Sequence, residues 1–174
     1  MKLSIRPEKP EDISSIYALN KSAFGQDNEA RLVDALRESD VFIPELSLVA
    51  EMNDEIVGHI LFTRLKIVSE GGIKHDNLAL APMAVSPGRQ RQGIGTELVK
   101  HGLAKAKELG FDSVIVLGHK EYYPRFGFVP SSRWNIKAPF DVSDAVFMAL
   151  ELRQGSLIDV SGTVEYPPEF SAEF

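Results

Sequence analysis

The sequence predicts an α+β domain in which helices cover both faces of a mixed β-sheet. Residues 47–69 are rich in β-branched side chains on either side of an Asn53-Asp54 turn, a pattern typical of an antiparallel hairpin. Further along, a strand, a helix and a second strand follow one another closely. The connection from Val85 to Val114 is long enough for a right-handed parallel crossover, which makes the predicted sheet mixed.

The N-terminal part of the chain predicts one strand and two helices. Leu3 and Ile5 precede Pro7, as in a short strand. A helix is predicted to start after the segment Pro10-Glu11-Asp12. Its apolar residues recur at helical spacing: Ile13, Ile16, Tyr17, Leu19 and Phe24. A second helix is predicted from Asn28 to Glu38.

Two strands flank the longest predicted helix. The first is LALAPMAV, residues 78–85, where Pro82 removes a hydrogen-bond donor and predicts a local distortion of the sheet. The helix is predicted from Gly93 to Leu109, with Gly110 at the position that ends many helices. The second strand, Ser113 to Gly118, is apolar enough to be buried on both faces.

The pattern is less regular after the second of these strands. We expect a short helical turn at Tyr122–Phe126 and a last strand within DAVFMALEL, residues 144–152. Trp134 and Phe140 are candidates for lining a substrate pocket, although burial in the core is more usual for aromatic residues. The C-terminal tail combines aromatic residues with acids and has no Lys or Arg, which favours an ordered strap over the sheet or a neighbouring subunit.

Composition limits the functional classes. The chain has 174 residues, 44% of them hydrophobic, enough for one domain with a sizeable core. It has no cysteine, so disulfides, thiolate nucleophiles and cysteine-based metal sites are excluded. Outside the last 20 residues, the chain has 19 basic and 21 acidic residues. This part of the chain is nearly neutral and lacks the basic surface that duplex nucleic acid requires. No apolar run resembles a signal peptide or a membrane span, and we expect a cytoplasmic protein with no membrane partner.

The strongest candidate for a binding site is the segment from Arg89 to Thr96, a glycine-containing turn that leads into the longest predicted helix. The N–H groups at a helix N-terminus attract anions, and glycine lets phosphate oxygens approach the backbone. Many such turns bind nothing. The segment is not a P-loop, because Ile94-Gly95 replaces Lys-Ser/Thr, and not a dinucleotide fingerprint, because Leu98 replaces the third glycine.

Two segments together carry a resemblance to a known family: Gln90-Arg91-Gln92-Gly93-Ile94-Gly95 and Tyr123-Pro124-Arg125-Phe126-Gly127-Phe128. With the LAPMAV strand before them, they resemble the GCN5-related N-acetyltransferase (GNAT) superfamily, most of all its YhbS-type branch of predicted acetyltransferases. The resemblance runs from the first strand to about Leu152. It implies a GNAT fold over residues 1–154, with about seven mostly antiparallel strands, and a C-terminal extension over residues 155–174.

The resemblance also implies a binding mode for acetyl-CoA. The backbone of Met83, Ala84 and Val85 would pair with the pantetheine arm as an added strand does. Arg89 and Arg91 would reach the phosphates. The pyrophosphate would lie on the backbone of the turn itself: Gln90, Arg91, Gln92, Gly93, Ile94, Gly95 and Thr96. No metal is expected, because His59, His75 and His101 are scattered without ligand spacing.

For catalysis, the resemblance assigns Tyr123 as the general acid that protonates the departing thiolate. A phenol with an ordinary pKa near 10 is a donor at physiological pH. Packing against the helix is the ordinary alternative for Tyr123, and the adjacent Tyr122 is the fallback acid. No ionisable side chain on the 78–85 strand could act as the general base. His119 and Glu29 are weak candidates for that role, and a water relay would require neither.

These expectations define an N-acetyltransferase that moves an acetyl group from acetyl-CoA to a primary amine by direct transfer in a ternary complex. The acceptor would be a small-molecule or peptide amine. An acyl-cysteine intermediate is excluded by the absence of cysteine. The alternative is a non-catalytic acyl-CoA-binding or sensing module that keeps the fold and the turn. A homodimer is left open.

Overall fold

The structure is a computed structural model that describes residues 2–171. In this range the strands are Leu3–Pro7 (β1), Phe42–Met52 (β2), Glu55–Val68 (β3), Lys74–Val85 (β4), Ser113–Leu117 (β5), Val129–Pro130 (β6), Ile136–Lys137 (β7), Phe147–Glu151 (β8) and Gly162–Glu165 (β9). The helices are Ile13–Phe24 (α1), Asn28–Arg37 (α2), Ile94–Glu108 (α3) and Pro168–Ser171 (α4). No helix within residues 2–171 is long and apolar enough to cross a membrane.

The chain forms two compact units, and β3, β4 and α3 each contribute residues to both. Of the described residues, the first unit contains 2–63, 81–105 and 168–171, and the second contains 64–80 and 106–167.

In the first unit, β1 and β2 pair antiparallel, and β2 pairs antiparallel with β3. The predicted hairpin is confirmed, because Asn53 and Asp54 both adopt left-handed φ angles, 53° and 62°, as a tight two-residue hairpin turn requires. The first strand of this hairpin starts at Phe42, earlier than the predicted Ser47. A register shift between these two residues interrupts the alternation of buried and exposed side chains, and this hides the start of the strand in the sequence.

Helices cover both faces of β3 in the first unit, as predicted. On one face, Gly58 and Phe62 pack against α3: the ring of Phe62 lies against Gly102, and Leu98 and Ile94 lie over Gly58. These contacts bury apolar residues of β3 and α3 completely: Ile60, Phe62, Leu98 and Val99. The predicted helix end is also confirmed, because Gly110 has φ 92° and its N–H donates to Lys107 O at 3.1 Å.

The opposite face of β3 carries a buried polar cluster that ties it to α2. Nε2 of His59 lies 2.8 Å from Oγ of Ser47, whose hydroxyl donates to Glu8, and Nε of Arg37 donates to Oε2 of Glu8 at 2.6 Å. Burial lowers the pKa of His59, which is therefore neutral. Burial also opposes ionisation of Glu8, but contacts with His59, Arg37 and Ser47 outweigh it and lower the Glu8 pKa to about 2.

In the second unit, β4 and β5 pair in parallel through Leu78↔Val114 and Ala79↔Ile115, which confirms the predicted crossover. The β5 strand also pairs antiparallel with β8, and β8 pairs antiparallel with β6. The ladder between β4 and β5 ends before either strand does. Pro82, the predicted site of distortion, lies in β4 beyond the last pair of this ladder and follows a cis peptide bond.

The C-terminal part of the second unit differs from the prediction. The strand predicted over residues 144–152 is shorter, because Asp144–Val146 form a 3₁₀ turn capped by Ser143 ahead of β8. It is not the last strand, since β9 follows and pairs antiparallel with the end of β3 and parallel with β7. Residues 162–165 are thus an added strand beside β3 rather than a strap over the sheet, and the end of the predicted extension, residues 172–174, lies outside the described residues. With the two-residue strands β6 and β7, the sheet of residues 2–171 has nine strands, not about seven.

Candidate functional site

The Arg89–Thr96 turn lies in the first unit, between the end of β4 and the start of α3. The sequence predicted that it follows the strand directly, but a 3₁₀ turn at Pro87–Arg89 comes first. The side chain of Gln90 then folds back, and its Nε2 donates to the carbonyl oxygen of Val85 at 3.2 Å. This bond closes the turn onto the end of β4 and occupies a backbone acceptor of the predicted pantetheine-binding segment.

Gly93 gives the turn its shape and its open surface. Its φ is 85°, and a Cβ built on it would meet no atom within 4 Å. The carbonyl oxygen of Gly93 accepts the N–H of Glu97 at 3.1 Å, so Gly93 is the last residue before the helix. The first-turn N–H groups of α3 follow it and carry the partial positive charge of the helix dipole. The backbone at Gly93 is therefore open on this side, as the predicted anion-binding turn requires.

The two arginines of the turn differ in their surroundings. Nη1 of Arg89 lies 3.6 Å from Sδ of Met52, so this side chain is half-buried against β2. Arg91 has φ 65° and an exposed side chain. An exposed guanidinium group on the turn suits contact with a phosphate group. On the preceding strand, Met83 and Val85 are half-buried and Ala84 is buried.

Tyr123, the predicted general acid, lies in the second unit at the start of a 3₁₀ turn, Tyr123–Phe126. Its ring is buried, with the rings of Tyr122 and Phe128 packed against it edge to face. Burial, and to a smaller extent Tyr122, raises the pKa of Tyr123 to about 12. The hydroxyl is therefore a proton donor throughout the physiological range. No acceptor for this hydroxyl occurs within residues 2–171.

Gly118 determines where the Tyr123 ring lies. A Cβ on Gly118 would be 2.3 Å from Cε2 of Tyr123, far closer than side-chain atoms approach one another. The N–H of Gly118 donates to Val146 O at 2.9 Å, which fixes this backbone. Sequence reasoning placed Gly118 at the end of a buried strand but gave it no role. The only indication of a role in the sequence was that Gly118 lies five residues before Tyr123.

A surface depression of about 640 Å³ lies at the end of β5 in the second unit. One wall is the segment Leu117–Glu121, and the other is formed by Ser143 and Val146, which precede β8. We call it the β5 depression. Sequence reasoning identified only His119 among these residues, because the two walls are distant in sequence and are joined by the pairing of β5 with β8.

The two candidate bases lie in different units. His119 is exposed in the β5 depression, and its carbonyl oxygen accepts the N–H of Tyr122 at 3.1 Å. Glu29 belongs to α2, where it is largely buried and its carboxylate accepts hydrogen bonds of 3.0 and 3.2 Å from Gln26. Among residues 2–171, no group of three or more His, Asp or Glu has a metal-binding arrangement.

The aromatic residues expected in the core lie elsewhere. Trp134 is half-buried and Phe140 is 46% exposed. The ring of Phe140 stacks on Tyr166 of the C-terminal segment, with centroids 6.2 Å apart, and meets Phe147 edge to face. This stack joins the segment after β9 to the loop that carries Ser143.

Comparison with known proteins identifies the family. The profile of the Acetyltransferase (GNAT) family matches residues 13–128. YhbS of Escherichia coli K12, an uncharacterized N-acetyltransferase, is 33% identical over 168 residues, which cover 96% of this chain and 98% of YhbS. YjhQ of the same strain, also an uncharacterized N-acetyltransferase, is 42% identical over 121 residues, which cover 68% of this chain and 65% of YjhQ. This chain belongs to the GNAT acetyltransferase family.

Two solved structures extend the comparison to the fold. The E. coli YhbS structure in complex with CoA matches with a TM-score of 0.90 and 30% identity, covering 98% of this chain and 93% of that one. A GNAT family acetyltransferase from Brucella melitensis in complex with acetyl-CoA matches with a TM-score of 0.79 and 32% identity, covering 97% and 98%. The GNAT fold and the similarity to YhbS that the two sequence segments predicted are confirmed.

Proposed function

We propose that this chain is an acetyl-CoA-dependent N-acetyltransferase that transfers the acetyl group directly to a primary amine. The observation that carries the proposal is the turn at Gly93, where left-handed backbone, open space and the N-terminus of α3 coincide. The CoA and acetyl-CoA complexes of the two similar structures support this ligand.

The residues of the first unit would hold the cosubstrate. The backbone from Gln90 to Thr96 would bind the pyrophosphate, with Arg91 as its cationic neighbour. The backbone of Met83, Ala84 and Val85 would pair with the pantetheine amides, although the hydrogen bond from Gln90 leaves less of the Val85 carbonyl for this purpose. Acetyl-CoA supplies the activated acetyl thioester. Without a cysteine, the chain has no thiol to carry the acetyl group, which favours direct transfer to the amine.

Tyr123 is the proposed acid for the departing thiolate. With its pKa raised to about 12, the phenol stays protonated but is a weaker acid than an ordinary tyrosine. An ordinary thiol has a pKa of roughly 8.5, so complete proton transfer to the sulfur would be uphill. We therefore expect Tyr123 to stabilise the developing charge on sulfur mainly as a hydrogen-bond donor, with solvent delivering the final proton.

The ligand is tested by the thermal midpoint of the full chain in the presence of acetyl-CoA, CoA, ATP or NAD. A ligand at about 100 times its Kd adds roughly 2.7 kcal/mol to the free energy of unfolding, about 5–10 °C for a domain of this size. We expect a shift with acetyl-CoA and CoA only. The absence of any shift with these two ligands would refute the proposed binding site.

Two glycines with nearly the same geometry make a matched pair of variants. Gly93 and Gly72 have φ angles of 85° and 82°, and neither has an atom within 4 Å of a built Cβ. Gly93→Ala and Gly72→Ala should therefore lower stability by similar amounts, about 1 kcal/mol each. Only Gly93→Ala should reduce the midpoint shift with CoA. Equal shifts in the two variants would mean that CoA does not bind at the turn.

Tyr123→Phe distinguishes an enzyme from an acyl-CoA-binding or sensing module. For an enzyme, kcat should fall by about 100-fold while the midpoint shift with CoA is retained, because loss of one hydrogen-bond donor to a developing negative charge costs about 10²–10³-fold in kcat. A chain that binds acetyl-CoA but releases no free thiol with any amine, before or after the substitution, would be a binding module.

A further inference from the structure

We propose that the β5 depression binds the acceptor, and that the acceptor is a primary amine with an aliphatic or aromatic body. This inference rests on the proposed transferase function and adds the class of its second substrate. It is carried by the volume of the depression and by the apolar side chains that line its two walls.

The depression is large enough for a substrate with a body. Its volume of about 640 Å³ lies within the range of roughly 300–1,000 Å³ that is usual for small-molecule sites. An amine of only two or three heavy atoms would leave most of this space to water. An acceptor that fills it needs several carbon atoms beyond its nitrogen.

The apolar residues of both walls favour an apolar body. Leu117, at the end of β5, is 45% exposed and lines the depression. On the opposite side, the half-buried Val146 lines it. Exposed apolar side chains that cluster around a concave surface indicate a binding site, because their contact with water is unfavourable until a ligand covers them.

The charged side chains that line the depression, Lys120 and Glu121, have opposite signs and are both exposed. The depression therefore has no net charge that would exclude a cationic acceptor. Primary amines are protonated in neutral water and must lose a proton before they react. His119, which also lines the depression, can accept this proton.

The position of the depression suits the transfer step. Gly118 lines it and is also in close contact with the ring of Tyr123. In the step, the neutral amine nitrogen forms a bond to the acetyl carbon while the C–S bond breaks. Nitrogen loses one proton and sulfur gains one. A site at Gly118 would keep the attacking amine close to the residue proposed to stabilise the leaving sulfur.

The second wall is held in place by contacts of its own. Phe140 stacks on Tyr166 and meets Phe147 edge to face, and Val146 O accepts the N–H of Gly118. These contacts fix the loop before β8 against β5. The depression is therefore formed in the protein without a ligand, as is usual for small-molecule sites.

Hexylamine and ethylamine provide the test, since they share the same reactive nitrogen and differ in the length of the apolar body. With the full chain at saturating acetyl-CoA, we expect kcat/KM to be at least tenfold higher for hexylamine. Leu117→Gln should lower kcat/KM about fivefold for hexylamine and less than twofold for ethylamine. The matched control is Ile73→Gln, which changes a residue 63% exposed in the turn between β3 and β4 and should affect neither amine.

The midpoint shift with CoA, measured for the same proteins, separates this inference from the proposed function. Equal use of the two amines, transfer to neither of them, or equal effects of Leu117→Gln and Ile73→Gln would overturn the substrate class while the CoA shift remains. Loss of the CoA shift in the unmodified chain would instead refute the transferase proposal, and the acceptor site with it.

Discussion

The ring of Tyr123 packs so closely on Gly118 that a single methyl group at residue 118 would overlap it, at 2.3 Å from Cε2 and 2.8 Å from Cδ2. The backbone of Gly118 does not have a positive φ, so the requirement for glycine comes from this contact alone. A residue with no reactive group thus determines the position of the proposed acid.

Gly118→Ala should therefore displace the Tyr123 ring and lower kcat at least tenfold, with a loss of stability of about 1–3 kcal/mol from overpacking. The midpoint shift with CoA should be retained, because Gly118 does not belong to the Gln90–Thr96 turn. Gly71→Ala is the matched control, since its nearest neighbour is Ser69 Oγ at 3.9 Å. Equal kcat values for the two variants would contradict a positioning role for Gly118.

Gly102→Ala tests the packing of α3 on β3. A Cβ there would lie 2.2 Å from Cε1 of Phe62. Helix propensity alone would favour alanine by about 1 kcal/mol, but overpacking typically costs about 1–3 kcal/mol, so we expect a net loss of stability. Urea unfolding measures it. Phe62→Leu removes the clashing ring atoms, so the double variant should lose less than the sum of the two single variants. Strict additivity would exclude the clash.

The sequence predicted those elements that are determined by residues adjacent to one another in the chain. The hairpin depends on two adjacent residues that tolerate left-handed backbone, and the end of α3 depends on Gly110. The glycine-containing turn before α3, where we propose that CoA binds, was predicted for the same reason, since its glycines and the helix that follows are contiguous. GNAT membership followed from two short segments in the right order.

Elements with distant partners were missed or misjudged. Strand β9 has only four residues, and its partner β3 lies far away in sequence. The alternation of apolar and polar residues is therefore too short to predict the strand. Phe140 was expected to be buried but stacks on Tyr166, a contact that exists only because β9 brings the C-terminal segment beside β3. The β5 depression was not predicted for the same reason, because the end of β5 with the segment after it and the segment before β8 form its walls only when β5 and β8 pair.

Stability should fall on acidification in two stages, because of the buried cluster at His59. The pKa of His59 is lowered from 6.5, so below about pH 6.5 the unfolded chain binds a proton that the folded chain does not, and unfolding becomes easier. Glu8 has the same effect at lower pH. Its pKa in the folded chain is about 2, below its ordinary value of 4.5. Its contribution to the free energy of unfolding is therefore lost as the pH falls from about 4.5 towards 2.

Thermal midpoints between pH 8 and pH 5 measure the first stage. His59→Gln should start from a lower midpoint but lose less of it on acidification, because the residue that takes up the proton is gone. His101→Gln is the control, since its side chain is 52% exposed on α3, and it should keep the slope of the unmodified chain. If His59→Gln and His101→Gln have the same slope, His59 is not the group responsible.

Tyr166 should favour binding of the acceptor, although it does not line the β5 depression. Tyr166→Ala removes the stack on Phe140 and loosens the wall that carries Ser143 and Val146. Because an ordered wall favours binding of the amine more than the chemical step, we expect KM for hexylamine to rise about three- to tenfold with kcat changed less than twofold. The midpoint shift with CoA should persist. Tyr17→Ala, in α1 of the first unit, controls for the loss of a half-buried tyrosine. If both variants raise KM for hexylamine equally, the effect reflects general destabilisation and not the stack.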